Sequence, residues 1–404
     1  MTRTRVATRS ITGDLTRLRR ALHAEPELGL HLPRTQHKVL DALAGLPLEV
    51  TTGDRLTSVT AVLRGTSTAA SRSDAAAVLL RADMDALPIQ ESTGLPFAST
   101  VDGVMHACGH DLHTAMLVGA ARLLAAQRDR LDGDVVFMFQ PGEEGWDGAS
   151  LMIDEGVLDA AGRRVSAAFG MHVFSAGVPA GVFATRSGPM MAASNELRVT
   201  VHGRGGHGST PHRAADPVPA VAEMVLALQS RLTRSFDVFD PVVVTVGLLL
   251  AGTKANVIPG SASFAATVRT FSAETSAALR DTLSRLVHGI AAAHELEVSV
   301  DYVEQYPPTV NDPVETLFAA QTIASVVGAH RHIELANPFM ASEDFSRVLA
   351  LVGGSFVAVG AAPPGVATAG ASFNHAADAV FDDAVLPDGA AVYAQLAQRR
   401  LSRR

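Results

Sequence analysis

The sequence predicts an α/β protein whose main domain is interrupted by a second, smaller domain. Strands and helices alternate near both ends of the chain, whereas residues 195–303 follow the order β-α-β-β-α-β. The length of 404 residues also exceeds what one hydrophobic core usually covers. We therefore predict a discontinuous domain with a mixed, mostly parallel sheet flanked by helices, at residues 1–190 and 306–404. A ferredoxin-like lid or dimerisation domain is predicted at 191–305.

The elements of the main domain follow from the spacing of apolar residues and prolines. Leu15, Leu18 and Leu22 lie on one helical face, and Pro26 ends that helix. Short apolar runs indicate the buried strands that a parallel sheet requires. In chain order, helices are predicted at 15–24, 35–44, 112–127 and 313–327, and strands at 58–63, 77–82 and 134–139. An Ala/Ser-rich patch at 67–77 predicts an exposed loop.

The inserted domain differs from the main domain in how apolar residues are spaced along its strands. Residues 196–202 alternate between polar and apolar side chains, as expected for a strand with one solvated face. Further strands are predicted at 242–249, 261–270 and 297–303, and helices at 217–232 and 273–293. Pro307 and Pro308 mark the return to the main domain.

Composition excludes several classes of protein. A net charge of −8 and a pI near 6.0 argue against a nucleic-acid partner. The longest apolar run, Val242–Ala251, is about half of what a membrane helix needs, so no membrane span is predicted. The basic first residues lack the apolar run of a signal sequence. With a single cysteine and no possible intrachain disulfide, we expect a cytoplasmic enzyme.

The segment from His106 to His113 contains the only cysteine and three histidines. The Cys108 thiolate and the His110 imidazole suit zinc and neighbouring transition metals. A zinc finger is excluded, because such sites need further cysteines close in sequence. The remaining ligands must therefore be distant histidines or carboxylates, as in catalytic sites that keep open coordination positions.

Two acidic pairs follow predicted strands. Asp83 and Asp85 could orient a ligand imidazole, or they could cap a turn. In the pair Glu143 and Glu144, one carboxylate could bind a metal while the other activates water; a solvated acidic turn is the alternative. Both acidic pairs lie where open α/β sheets bind ligands, at the carboxyl ends of strands.

Three more histidines are candidates for the site. His172 and His375 lie in apolar surroundings, which suits either a core residue or a metal ligand. His207 lies in a glycine-rich loop that lacks the Gly-Lys-Ser/Thr ending of a phosphate-binding loop. A histidine on a mobile loop can instead donate a hydrogen bond to a developing oxyanion.

Seven segments in this order resemble one branch of a known superfamily, and the resemblance extends from Leu22 to His375. The branch is that of the hippurate and indole-acetyl-amino-acid hydrolases, within the aminoacylase and carboxypeptidase G superfamily of di-metal peptidases. The segments are Arg81–Pro88, Met105–Thr114, Phe139–Gly145, Gly170–His172, Gly205–His212, Asn256–Pro259 and Ala341–Phe345. Relatives commonly have a proline and an aromatic residue after the last histidine, which this chain lacks after His375.

The resemblance implies a pair of divalent metal ions. Mn²⁺ or Zn²⁺ is expected, while Co²⁺ and Ni²⁺ also suit these ligands. Cys108 would bridge the ions, whereas His106 and His113 would not be ligands. The implied ligands are Cys108, His110, Glu144, His172 and His375.

The resemblance also implies roles for other residues. Asp85 would steady a metal-binding imidazole, and Glu143 would be the general base. His207 would stabilise the oxyanion in the partner subunit of a homodimer, or of a tetramer. Asn256 and Arg269 would recognise the amino-acid part of the substrate, with Arg269 pairing with its carboxylate.

Glu343 would lie near the metal site. The implied reaction is hydrolysis of the amide bond of an N-acyl-L-amino acid. One alternative is a dipeptidase or carboxypeptidase of the same fold, whose substrate differs by a free amine. Another is a silent metal-binding regulator, which would have no reason to keep Glu143 beside a complete ligand set.

Overall fold

The computed structural model describes residues 3–67, 76–365 and 370–402, with side chains from residue 11 onward. The chain divides into two compact units. Unit 1 consists of Met1–Met190, Val310–Asn337 and Asp344–Arg404, and unit 2 consists of Met191–Thr309 and Pro338–Glu343. The sequence had placed 338–343 in the main domain; they belong to unit 2, where the Phe339 and Ala341 carbonyls accept hydrogen bonds from Ala192 N. Most of the loop predicted at 67–77, namely 68–75, lies outside the described residues.

The helices and strands are numbered here in chain order. The helices are α1 Arg3–Ala24, α2 Pro33–Leu43, α3 His110–Ala125, α4 Gly148–Asp154, α5 Pro217–Ser235, α6 Ala273–Ala293, α7 Pro313–Val327, α8 Ser346–Val352 and α9 Leu386–Leu401. The strands are β1 Leu48–Thr52, β2 Val59–Leu63, β3 Ala77–Asp83, β4 Asp134–Gln140, β5 Ala167–Phe174, β6 Phe183–Thr185, β7 Gly188–Met191, β8 Ser194–His202, β9 Gly206–His207, β10 Val243–Ala251, β11 Val257–Ile258, β12 Ser261–Arg269, β13 Glu297–Tyr306, β14 Thr309–Asn311, β15 His332–Glu334 and β16 Gly354–Gly360. None of the helices in the described ranges is long and apolar enough to cross a membrane.

Unit 1 is built on a mixed sheet with a parallel centre. Its strand order is β1-β2-β4-β3-β5-β16-β6-β15. The four central strands β4, β3, β5 and β16 are mutually parallel, whereas β1 and β2 add to the sheet in antiparallel fashion. All four central strands are fully buried, which explains their continuous apolar sequences. The predicted α/β fold with a mostly parallel sheet is confirmed.

The strand ends determine where the polar clusters lie. β3 and β4 finish side by side, with Asp83 paired in register with Gln140. β5 continues through His172, so this histidine lies within a buried strand. Helix α3 begins at His110, two residues earlier than predicted, while α1 begins well before Leu15, at Arg3.

Unit 2 has the predicted ferredoxin-like arrangement. Its four-stranded antiparallel sheet has the order β10-β12-β8-β13, and α5 and α6 supply the two helical crossovers. Leu197, Val199 and Val201 of β8 point into its core, as the alternating pattern predicted. A separate ribbon pairs β9 with β11.

Candidate metal centre

The five predicted ligands lie together in unit 1. The Sγ atom of Cys108 is 3.3 Å from Nε2 of His172 and 3.3 Å from Nε2 of His375. Oε1 of Glu144 is 3.2 Å from His375 Nε2 and 4.0 Å from His110 Nε2. Residues far apart in sequence therefore present their donor atoms to one small region.

These donors form two groups that share Cys108. One group contains Cys108, His110 and His172, the other Cys108, Glu144 and His375, and within each the donor atoms lie within 4.8 Å of one another. Donors bound to one ion at zinc-like bond lengths lie roughly 3.5 Å apart. The observed separations fit this value, so the donor set fits two ions that share a thiolate.

Hydrogen bonds orient the His172 ring. Its Nδ1 donates to the carbonyl of Val173 at 2.8 Å, which leaves the lone pair of Nε2 directed towards Cys108. Burial lowers the pKa of His172 well below its ordinary value. The imidazole therefore stays neutral, as a metal ligand must.

The site attracts positive charge. Hydrogen bonds with Cys108 and then Glu144 raise the pKa of His375 to about 10. Burial alone would raise the pKa of Glu144, but the hydrogen bond with His375 lowers it below its ordinary value. The thiol and carboxylate thus stabilise a cation between them, which is what a divalent metal site requires.

Asp85 connects the acidic loop to a ligand histidine. Its Oδ1 and Oδ2 accept hydrogen bonds from the backbone N–H groups of Glu143 and Glu144, each at 3.0 Å. Oδ1 also lies 3.5 Å from Nδ1 of His110. The two roles considered for Asp85, fixing a turn and orienting an imidazole, are therefore compatible.

Glu143 lies beside the ligands. It is buried, and its carboxylate groups with His110 and Glu144 within 4.8 Å. Because Asp85 accepts a hydrogen bond from its backbone N–H, the main chain of Glu143 is anchored next to the metal-binding atoms.

The other two histidines of the His106–His113 segment face elsewhere. Nδ1 of His113 lies 2.5 Å from Asp83 Oδ1, and its Nε2 accepts a hydrogen bond from Val173 N at 2.7 Å. With both nitrogens engaged, His113 has no lone pair for a metal. Burial lowers the pKa of His106 to about 3, and its ring packs 6.2 Å from that of His23.

Two predicted residues lie close together in unit 2. Gly208 N donates to the carbonyl of Asn256 at 2.9 Å, while His207 pairs with Val257 in the β9–β11 ribbon. Both His207 and Asn256 are exposed. Nδ1 of His207 accepts a hydrogen bond from Ser209 N at 3.2 Å, so the proton of the neutral ring is on Nε2. His207 therefore presents an N–H donor.

Arg269 and Glu343 also belong to unit 2. Arg269 ends β12, and burial lowers the pKa of its guanidinium. Its Nη1 is buried without a hydrogen-bond partner among the described residues. Glu343 is almost fully buried, and its carbonyl accepts from the hydroxyl of Thr309 at 3.5 Å.

Asn374 connects three segments of the centre and was not predicted. Its Nδ2 donates to the carbonyls of Cys108 and Val173, at 3.2 and 2.9 Å. Its Oδ1 accepts from the backbone and side chain of Ser175. The neighbouring His375 has a left-handed backbone with φ 72°. Asn374 thus helps to hold this unusual turn at the metal centre.

A buried ion network beneath the site was also missed. Arg81 is completely buried and donates to Asp83 at 2.6 Å, Asp344 at 3.0 Å and Gln140 at 2.9 Å. Asp83 in turn contacts His113, as described above. A charged residue within the apolar strand β3 was the available signal, since a buried arginine requires acidic partners.

Gly109 lies between the predicted ligands Cys108 and His110 and allows this turn to approach strand β5 closely. Its φ is 89°, and an added Cβ would lie 2.4 Å from Cγ2 of Val173. The turn before α3 therefore requires glycine both for its backbone conformation and for space.

We expect Gly109→Ala to lower the free energy of unfolding by about 2–4 kcal/mol, from left-handed strain and overpacking. It should also weaken metal binding, because Cys108 and His110 would move. Denaturant unfolding and metal analysis measure these effects. Gly162→Ala is the control, since Gly162 has φ 79° with no atom within 4 Å and should show strain alone. Equal losses in both variants would refute the steric explanation.

The match to known proteins identifies the family. Residues 79–399 match the family model described as peptidase family M20/M25/M40. The chain belongs to this family. Like other members of peptidase family M20/M25/M40, it is a metal-dependent hydrolase acting on amide or peptide bonds.

Several relatives align over most of the chain. Thermostable carboxypeptidase 1 of Saccharolobus solfataricus is 36% identical over 394 residues, 96% of each chain. An N-acetylcysteine deacetylase of Bacillus subtilis is 37% identical over 347 residues, 86% of this chain and 88% of the relative. A solved Bacillus subtilis structure, described as a dinuclear metal-binding peptidase of family M20, has a TM-score of 0.82 at 33% identity and covers 97% of this chain and 99% of its own.

Proposed function

We propose that the protein hydrolyses the amide bond of N-acyl-L-amino acids, with preferences like those of the hippurate and indole-acetyl-amino-acid hydrolases. The observation that carries this proposal is the position of Glu143, which lies beside His110 and Glu144 without belonging to the five-ligand set. A carboxylate there can accept a proton from water and return it to the leaving amine. A relative of 37% identity named as a deacetylase of N-acetylcysteine, an N-acyl amino acid, supports the same reaction type.

Five residues would hold two divalent ions, Mn²⁺ or Zn²⁺ in our proposal, although Co²⁺ or Ni²⁺ also suits these ligands. When bound, such ions acidify a water molecule and polarise the amide carbonyl. Cys108 would contribute a thiolate to both sites, and Glu144 the one further negative charge. Asp85 would keep the backbone of Glu143 and Glu144 in place through its hydrogen bonds, and its Oδ1, 3.5 Å from Nδ1 of His110, would orient that imidazole.

Residues of unit 2 would bind the rest of the substrate. The N–H donor of His207 suits a developing oxyanion. The half-buried guanidinium of Arg269 suits the substrate's α-carboxylate, because a paired carboxylate would satisfy its buried Nη1. Asn256 would contact the same part of the substrate, and Glu343 would lie near the metal ions.

A panel of substrates tests the function. Acetyl-, benzoyl- and indole-acetyl-amino acids and matched dipeptides should be offered to metal-stripped enzyme with each of the four ions restored. We expect efficient release of the amino acid from the acylated substrates. Preference for dipeptides with a free amine would instead support the carboxypeptidase or dipeptidase alternative, for which a relative named as a carboxypeptidase is a precedent.

We propose that the protein is a homodimer formed through the outer edge of the unit 2 sheet. Strand β10 is an edge strand, and Leu248, Leu249 and Leu250 are each about half exposed. An edge strand with consecutive exposed leucines favours pairing with a second copy. His207 would then serve the partner subunit's site.

Leu249→Lys should convert the dimer to a monomer, because a charge would be buried at the pairing edge. If His207 serves the partner subunit, activity should fall with the loss of the dimer. Sedimentation velocity and hydrolysis assays at equal concentrations measure both effects. Leu317→Lys, at an exposed leucine of α7 in unit 1, is the control and should change neither. A Leu249→Lys protein that stays dimeric would refute this interface.

A further inference from the structure

The only tryptophan of the chain is exposed and lies close in sequence to a residue of the candidate metal centre. Trp146 follows the predicted ligand Glu144 by two residues, and 58% of its surface is exposed. An aromatic side chain that large gains stability mainly by burial, so an exposed one suggests a binding role. Packing in the described core does not account for it.

The loop around Trp146 holds the indole in a fixed place. A Cβ added at Gly29 would lie 3.0, 3.2 and 3.4 Å from three atoms of the ring, so one ring face lies directly on Gly29. The backbone before and after the tryptophan is closed by hydrogen bonds from Gly145 N to Glu143 O and from Gly148 N to Gly142 O. The adjacent Asp147 forms an ion pair with Arg347 at 2.9 Å. The loop that carries the indole is therefore held by backbone hydrogen bonds and an ion pair, and the ring packs on Gly29.

A second exposed aromatic residue is also two residues away in sequence from a predicted ligand. Phe373 precedes His375 by two residues and is 47% exposed. Its ring packs 5.9 Å from that of Phe174, which in turn lies 5.0 Å from the His172 ring. Two residues of chain span at most about 7 Å, so the Cα atoms of Trp146 and Phe373 lie within that distance of the Cα atoms of Glu144 and His375. These two ligands are in contact with each other.

We propose that Trp146, together with Phe373, binds the acyl group of the substrate and makes the enzyme prefer aromatic acyl groups to acetyl. This inference rests on the proposed function, in which the amide carbonyl lies at the metal ions. The acyl substituent must then extend from the ions past the residues that flank their ligands. An exposed indole face offers a benzoyl ring contact area and favourable stacking, and a methyl group gains little from it.

The substitution test compares two substrates in metal-loaded enzyme. Trp146→Ala should lower kcat/KM for benzoylglycine by roughly tenfold or more, the discrimination that an apolar pocket provides, and change acetylglycine less than about threefold. Trp146→Phe should retain most of the preference for benzoylglycine. Leu351→Ala is the matched control, because Leu351 of α8 is also 58% exposed, and it should alter neither substrate.

A binding measurement gives a second readout that does not depend on turnover. Because Trp146 is the only tryptophan, emission excited at its red edge reports this side chain alone. Benzoylglycine added to the metal-loaded Glu143→Ala variant should change that emission with saturation, and acetylglycine should not change it at comparable occupancy. The same titration on the variant that also carries Leu351→Ala should be unaltered.

Two outcomes would overturn the inference about Trp146. One is an equal loss of kcat/KM for both substrates, which would indicate a general structural role; the other is no loss together with unchanged emission. Failure of the proposed function is distinguishable, because the unmodified enzyme would then hydrolyse neither benzoylglycine nor acetylglycine.

Discussion

Glu143→Ala should abolish hydrolysis while leaving the metal content of each subunit unchanged. The carboxylate lies beside His110 and Glu144, and its backbone is fixed by Asp85, yet it is outside the set of donors that share Cys108. Loss of a general base typically costs a factor of about 10²–10⁴ in rate. We expect kcat to fall by about 10³-fold or more, measured alongside metal content by elemental analysis.

Glu144→Ala provides the contrast to this variant. Its Oε1 contacts His375 and approaches His110, so its removal should lower both metal content and activity. If Glu143→Ala lost as much metal as Glu144→Ala, Glu143 would be a ligand and its assignment as base would be wrong.

Cys108→Ala should remove metal and activity together. Both donor groups contain Cys108, so a single substitution would remove one donor from each group and the negative charge that the two groups share. We expect less than one ion to remain per subunit at micromolar free metal, and activity to fall to background. Metal analysis after dialysis against a weak chelator measures the loss.

Mild oxidation tests the same residue without a mutation. Cys108 is the only cysteine, so a thiol-specific change can only occur there. Peroxide should release metal and activity in parallel, and a dithiol reductant should restore both if oxidation stops at the sulfenic acid. Methionine sulfoxides would survive the reductant, which separates the two kinds of damage. Retention of metal and activity after oxidation of the thiol would contradict the assignment.

Much of the fold could be predicted because the sequence pattern is local. The alternation in β8 and the continuous apolar runs of β3 and β4 reflect one-sided and two-sided burial, respectively. Helices α6 and α7 begin and end where predicted, and Ser272 and Asp312 cap their first turns, which explains where they begin. The start of α3 was missed, because a left-handed glycine before His110 permits an earlier beginning.

Long-range contacts limited what the sequence could predict about the site. The kinds of metal ligand could be predicted from Cys108 and His110 and from the Glu143–Glu144 pair, because the members of each pair are close together both in sequence and in space. Asn374 bridges backbone carbonyls of two distant segments, and no local pattern marks such a role. The pairing of Arg81 with Asp344 similarly depends on how β3 and the start of α8 approach each other.

The number of ions bound through Cys108 tests the central proposal most directly. Metal-stripped enzyme should be titrated with Co²⁺ while hydrolysis of benzoylglycine and the thiolate-to-metal charge-transfer absorption are recorded. We predict saturation at two ions per subunit, with a charge-transfer band that is absent from Cys108→Ser. Saturation at one ion, or full activity without the thiolate band, would contradict a centre in which two ions share this cysteine.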